Sequence, residues 1–277
     1  MSETPAMLPR GLEMPKVEKA LYATALKQIK NSKVYSRVYF GAEFCQWRLT
    51  APATVVKAYY RTTEKGMGFT LLTPWLTGAG IKKTRGILAR LADAGARDIE
   101  VVVNDFGLLT ILKDEFPIFV PVLGRLLVKQ KRCPRVPGIM DGMPESGRNV
   151  YTHPGIEDSV TVSFLKGFGI RRIELDSPLQ GIEVDLKPFG LRGSIYTPYA
   201  YVTTTRHCPA SFDGKTWQAF TGCRVKGCLK NAIELDNPAH EAGLLMRGNT
   251  QFVENAVLPG GLAGMGIDRI VYMEELP

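Results

Sequence analysis

Four cysteines carry the clearest chemistry in this chain: Cys208, Cys223 and Cys228 late in the sequence, and Cys45 far upstream. The late three lie in the polar, turn-rich stretch RHCPASFDGKTWQAFTGCRVKGCLKN, where a cysteine buried only for packing would be out of place. Fourteen residues separate Cys208 from Cys223, and four separate Cys223 from Cys228. A distant fourth thiolate is what a metal ion or an iron–sulfur group needs to close its shell. Zinc sites usually show two short cysteine pairs. Here there is one, with Cys45 standing alone, so an iron–sulfur group is the stronger reading and four-thiolate zinc its rival. The plainest alternative is a half-buried Cys45 at a strand end with the other three incidental. Cys133, inside the basic run KQKRCPR, reads as a non-ligand.

Other side chains fall near the same place. Glu43, two residues before Cys45, points to the same side of its strand. A buried carboxylate there needs a partner, which Arg125 or Arg206 could supply, and structural pairing is the plainer reading. Asn104 and Asp105 end another strand; they suit a turn and a helix cap, and also a substrate hydrogen bond. Glu43, Asn104 and Asp105 are therefore the candidates for catalysis. Arg125 and Arg206 are the candidates for substrate binding, because guanidinium groups grip carboxylates in bidentate fashion. No HExxH, GxSxG or Ser–His–Asp order occurs, which leaves hydrolysis without machinery. The stretch LPGGLAGMGIDRI places its glycines before a strand, the wrong polarity for a dinucleotide fold, and reads as a loop.

The elements that must position these residues alternate. Extended runs occur at 37–44, 68–73, 98–104, 118–123, 172–175, 194–203, 251–254 and 268–273, rich in Val, Ile, Tyr and Phe. Between them Ile81–Ala94 carries an apolar stripe (Ile81, Thr84, Ile87, Leu88, Leu91, Ala92), with Gly95 where a C-cap belongs. Thr54–Lys65 and Gly155–Leu165 are weaker helices, Met14–Lys30 reads as an extra N-terminal one, and Pro134–Pro154 reads as a loop or flap. Eight strand units alternating with helices predict an α/β fold: a (β/α)8, TIM-barrel-like single domain over 1–277, with irregular later units and an N-terminal extension over 1–30. Active sites of such barrels gather at the C-terminal strand ends. Cys45 and Cys208 each follow a strand, so both fall on that face.

The 277 residues are 45% hydrophobic, with mean hydropathy near zero at −0.04, as in an ordinary globular protein. No apolar run approaches the roughly 18 residues of a membrane span, and the N-terminus lacks a signal-peptide core, so a cytoplasmic location is expected. Thiols stay reduced there and clustered cysteines more often bind metal than pair. The net charge is +8. Between Phe116 and Met140 there is no acid, while Arg125, Lys129, Lys131, Arg132 and Arg135 are all basic. That run suits a solvated face, a site for an anionic small molecule, or RNA. No aromatic residues interleave it, which favours the small anion over stacked bases.

The motifs VYFGAEFCQWR, VVVNDFGLL, VLGRLL, YTPYAYVTTTRHCPAS with CRVKGC, GNTQFVEN and MGIDRIVYM run the length of the chain. Together they resemble the collagenase-like U32 peptidase family, in its UbiU/UbiV-like iron–sulfur branch and nearest its UbiV type. The resemblance implies a barrel holding a [4Fe–4S] cluster on Cys45, Cys208, Cys223 and Cys228. It also implies an oxygen-independent hydroxylation that takes its oxygen from prephenate, with a ubiquinone precursor or related aromatic as acceptor. A UbiU-like homologous subunit would complete a heterodimer. Alternatives are hydroxylation of an RNA base, or a non-catalytic subunit that only holds the cluster; the peptidase name would then be historical. The sequence departs from the motif at His207, between Arg206 and Cys208, and in its longer cysteine spacings.

Overall fold

The computed structural model describes residues 17–30, 33–212, 215, 222–223, 228, 232–236 and 242–277. Eight strands close into a parallel barrel: β1 (Glu18–Ala23), β2 (Arg37–Gly41), β3 (Gly68–Leu72), β4 (Glu100–Val103), β5 (Val120–Leu123), β6 (Arg172–Asp176), β7 (Arg192–Thr197) and β12 (Ile267–Tyr272). Their order around the barrel is β1-β12-β7-β6-β5-β4-β3-β2. Between β7 and β12 the chain builds an antiparallel sheet of β8 (Tyr199–Thr204), β9 (Ile233–Leu235), β10 (Leu244–Arg247) and β11 (Thr250–Glu254), ordered β8-β11-β10-β9. No helix among the described residues is long and apolar enough to cross a membrane.

The expected (β/α)8 architecture is present, with a different membership. The segment 14–30, read as a helical extension, contains β1, which pairs with both β2 and β12. Its EKALYA sequence is rich in helix formers, but Ala20 and Tyr22 turn into the lumen while Ala23 packs outward; strand pairing on two sides overrides propensity. The run 251–254 lies in the second sheet, not the barrel. The run 194–203 is two strands, divided at Thr197–Pro198. These are the irregular later units.

Helices α1 (Pro52–Thr63), α2 (Gly78–Asp93) and α6 (Ser159–Gly167) stand where the periodicity predicts them, and α3 (Phe106–Glu115) follows β4, where the sequence showed only a cap. Asp105 caps α3 and Asp158 caps α6, each accepting a backbone N–H of the first turn. Gly95, at φ +81°, ends α2 in the left-handed conformation. Pro134–Pro154 is not a flap: it folds into α4 (Val136–Met140) and α5 (Glu145–Thr152). Pro137 and Pro144 stand at the starts of these helices, where a missing N–H costs nothing.

Period-two alternation splits the core in two. Val38, Phe40, Leu71, Val101, Val103, Ile173 and Ile195 face the helices, whereas Tyr39, Leu72, Val102, Val122, Tyr196 and Val271 fill the lumen. Ionic layers stand at both ends of that lumen. At the N-terminal end Arg269 binds Glu18 (2.5 Å) and Glu100 (2.6 Å), with Arg37 and Arg172 against the same carboxylates. Above it Tyr39 Oη receives a hydrogen bond from Arg269 (2.6 Å) and donates to Glu174 Oε1 (3.1 Å).

Glu174 is fully buried, and its Oε2 has no partner among the described residues. Burial pushes its carboxyl up to about 7, with Arg269 and Arg172 offsetting part of the shift and Glu100 adding to it. The folded value thus lies above the unfolded one, so this group's stabilising contribution is full below about pH 4.5 and is lost as pH rises through about 7. Glu174→Gln is expected to flatten the pH dependence of stability between pH 5 and 8. At pH 8 the variant should be more stable than the parent by about 1–3 kcal/mol. Urea unfolding at the two pH values measures it; equal midpoint differences at both would overturn the assignment.

Candidate functional site

The C-terminal end of the barrel is closed by one arginine. Arg125, in the turn after β5, is fully buried. Its Nε and Nη2 donate to the two oxygens of Glu43 (3.0 and 2.6 Å), and Nη1 donates to Asp176 Oδ1 (2.6 Å). The guanidinium lies 3.8 Å from the Tyr196 ring centroid. Burial opposes the charge, but the facing carboxylates of Glu43 and Asp176 outweigh it and hold the arginine firmly protonated. Arg132 donates to the other Asp176 oxygen (2.7 Å). Each of the three Arg125 nitrogens therefore donates to a buried carboxylate, and the residue does not line the cavity beyond: it is the buried partner that Glu43 required.

The three candidates for catalysis, Glu43, Asn104 and Asp105, each have structural partners. Glu43 is 1% exposed and spent on Arg125. Asn104, also buried, donates to the Thr73 carbonyl (2.8 Å) and accepts from Leu126 N–H (3.0 Å), tying the ends of β3 and β5. A Cβ at Gly124 would fall 2.1 Å from Asn104 Oδ1, so only glycine fits there. Asp105 caps α3 and accepts from Leu76 N–H (3.3 Å). None of the three lines the cavity beyond.

That cavity, of about 120 Å³, opens on the C-terminal side and is lined by Cys45, Cys208, Cys223 and Cys228 together. Cys45 follows β2 and begins a short 3-10 turn, Gln46–Arg48; Cys208 follows β8 and begins another, Pro209–Ser211. Burial pushes the Cys45 thiol up, and the backbone N–H groups of Trp47 and Arg48, directed at the sulfur without a formed cap bond, pull it part of the way back. Cys208 repeats the device with Ala210 and Ser211. Charge on Cys223 and Cys228 raises Cys208, and charge on Cys208 raises Cys45, so the sulfurs sense one another. Cys133 lies outside the cavity. Burial resists its ionisation, but the Arg135 Nε–H at 3.3 Å outweighs that and holds the thiol below its ordinary value.

Two amides pin the cysteine-bearing turns. Asn249 Nδ2 donates to Phe44 O (2.9 Å), Thr204 Oγ1 (3.1 Å) and Thr205 O (3.0 Å), joining the Cys45 turn to the Cys208 turn. Gln46 Oε1 accepts from Thr77 N–H (2.8 Å) and Oγ1 (2.9 Å), joining it to the start of α2. Phe44 packs on Tyr201 and Phe252, seating the small sheet on the barrel. Arg206 does reach the cavity, its guanidinium 4.0 Å from the Trp75 ring centroid and donating to Leu76 O.

Sequence reasoning missed Arg48 and Arg247, which line the cavity with Arg206. Arg48 was legible as part of CQWR. Arg247 was not, because only the β10–β11 turn at Gly248 (φ +61°) brings it to the cysteines.

Among the described residues no three His, Cys, Asp or Glu side chains could hold one metal ion. The four thiols surround a space without meeting at a point. Zinc needs every sulfur about 2.3 Å from one centre, whereas a cubane presents an iron to each of four sulfurs around its outside. Four thiols lining one cavity are a donor set that either group uses.

Fold and site together define a (β/α)8 barrel with a four-cysteine cavity at the C-terminal end of its strands. No family model matches the sequence, and no curated protein matches it. Among solved structures the chain is similar to the U32 peptidase Mk0906, at 12% identity and a TM-score of 0.47, covering 99% of this chain and 98% of that one. It is also similar to a glycoside hydrolase family 18 N-acetylglucosaminidase from Paenibacillus barengoltzii, at 5% identity and a TM-score of 0.35, covering 93% and 94%. The architecture rests on the strand pairing itself.

Arg125→Met is expected to lower stability by about 3–5 kcal/mol, since it leaves Glu43 and Asp176 charged, buried and unpaired. Denaturant unfolding at pH 7 measures this. A stable variant whose only defect is weaker ligand binding would return Arg125 to a substrate role.

Proposed function

We propose that this protein binds a [4Fe–4S] cluster through Cys45, Cys208, Cys223 and Cys228 and serves an oxygen-independent hydroxylation of an aromatic acceptor, of the prephenate-dependent type. The observation that carries the proposal is the convergence of four sequence-distant thiols on one cavity at the C-terminal end of the barrel. The motif resemblance to the UbiV type of the U32 family supplies the reaction class, with a ubiquinone precursor or related aromatic as acceptor and a homologous UbiU-like subunit as partner.

When bound, such a cluster supplies one-electron chemistry and an electrophilic iron. The chain's own residues do the rest. Backbone N–H groups of residues 47, 48, 210 and 211 stabilise charge on two sulfurs, and hydrogen bonds to sulfur tune cluster potentials. Phe44, Trp47 and Trp75 give the cavity aromatic walls, and Arg206 gives it a cation. Asn249 and Gln46 fix the turns that carry two of the ligands.

The RNA reading draws little from the basic run. Arg125 and Arg132 are consumed in buried ion pairs, leaving Lys129, Lys131 and Arg135 exposed. Zinc on the same four thiols is the alternative cofactor.

Anaerobic purification with iron, sulfide and visible absorption analysis tests the cluster. The parent should be brown with about four irons and four sulfides per chain. Alanine at Cys45, Cys208, Cys223 or Cys228 should each cut the iron severalfold, whereas Cys133→Ala should keep it. A colourless, zinc-bearing protein after anaerobic reconstitution would sink the reading.

A further inference from the structure

Arg48 and Arg247 line the cavity and stand close enough to repel each other, and Glu275 on the exposed C-terminal turn offsets that only in part. The Arg48 side chain makes no hydrogen bond or ion pair among the described residues. Arg247 spends Nη1 on the Leu276 carbonyl, yet its Nε is buried with no acceptor among the described residues. A buried charged donor left unpaired is costly, so two guanidiniums on one cavity, one with an N–H unpaired among the described residues, describe a site suited to an oxyanion. The adjoining walls are flat and apolar: Phe44 and Trp75 line the same space, and Trp75, 50% exposed, is held by the Arg206 guanidinium on its face.

We propose that Arg48 and Arg247 form a carboxylate-binding pair beside the cysteines, which takes a small planar ring bearing a carboxylate. The fork of Arg247 meets the oxyanion, Arg48 supplies the second cation, and the ring lies along the aromatic wall. Planar carboxylates fit a guanidinium fork in bidentate fashion, and an aryl ring suits the tryptophan side. This inference names the ligand class of the cavity and rests on the proposed function only for what happens to that ligand afterwards. The competing use of the same arginines is to balance the negative charge of ligated sulfur, and the test separates the two.

The probe is benzoate, titrated anaerobically into the full chain after reconstitution, read by tryptophan fluorescence, with iron and sulfide measured on the same samples. Benzoate should bind saturably and more weakly as salt rises, while benzamide, isosteric and neutral, should bind at least tenfold more weakly. Arg48→Gln and Arg247→Gln should each weaken benzoate at least tenfold with iron and sulfide unchanged. Arg247→Lys, which keeps the charge and loses the fork, should fall between. Because Arg247 also anchors the C-terminus through Leu276, Arg48→Gln is the variant that decides should Arg247→Gln misfold. Equal binding of benzoate and benzamide would overturn the proposal. So would unchanged affinity in Arg48→Gln, or inorganic phosphate displacing benzoate at lower concentration than benzoate itself binds. Loss of cluster from the arginine variants, with no benzoate binding by the parent, would assign the pair to the cluster instead. A parent without iron that still binds benzoate through these arginines would remove the cluster reading and leave the carboxylate site standing.

Discussion

The ion cluster around Arg125 is the constraint on which the upper half of this molecule depends. One buried guanidinium reaches Glu43 beyond β2 and Asp176 at the end of β6, from its own place after β5. The strand that leads to Cys208 is fastened to the same point: Tyr201 Oη donates to the Arg125 carbonyl (3.1 Å), and Tyr201 N–H to Asp176 (3.3 Å). Cys45 is two residues past Glu43. Two of the four cysteines are thus carried on segments that begin at one arginine. Such a cluster contributes little net stability over a well-packed apolar plug, because three charges must be stripped of water. Its value here is geometric: hydrogen bonds fix the direction in which each segment leaves the barrel, which packing alone would leave loose.

The lumen beneath explains why that cluster tolerates burial. Tyr196 lies flat against Arg125 and edge-on to Tyr22 and Tyr39, so the middle of the barrel is a layer of rings rather than aliphatic groups. The electron-rich faces of these rings accept a cation better than a leucine layer would. Below them Glu174 connects through Tyr39 to the second ionic layer. The barrel is therefore polar at both ends with an aromatic septum between them.

The legible part of the fold was the part written in periodicity. The stripe on α2, the Gly95 stop and the strands β2 to β6 all repeat at a period the backbone dictates, and each was placed within a few residues. What failed was membership. KALYA looks helical until two neighbouring strands claim it, and TQFVE looks like any other barrel strand until the hairpin with LLMR removes it. Both decisions are made by partners distant in sequence. The site behaves likewise. Cysteine types and spacing pointed to the cavity residues, because thiols in a polar stretch are unusual at any distance. The roles of Glu43, Asn104 and Asp105 depended on whether their hydrogen bonds were already taken, and that is settled only by Arg125, Thr73 and Leu108 arriving from elsewhere.

The electrostatics of the cavity follow from the same geometry. Burial raises the Cys45 and Cys208 thiols, so neutral thiols are favoured there, yet metal ligation requires thiolates. Something must stabilise negative sulfur in a half-buried space. The backbone N–H groups of the two 3-10 turns do part of this locally, and Arg48 favours charge on Cys45, yet burial still wins at both sulfurs. A cavity built this way holds more positive charge than four protonated thiols need. The lining sets three guanidiniums beside four thiols, a positive balance that suits negative sulfur and an anionic ligand alike.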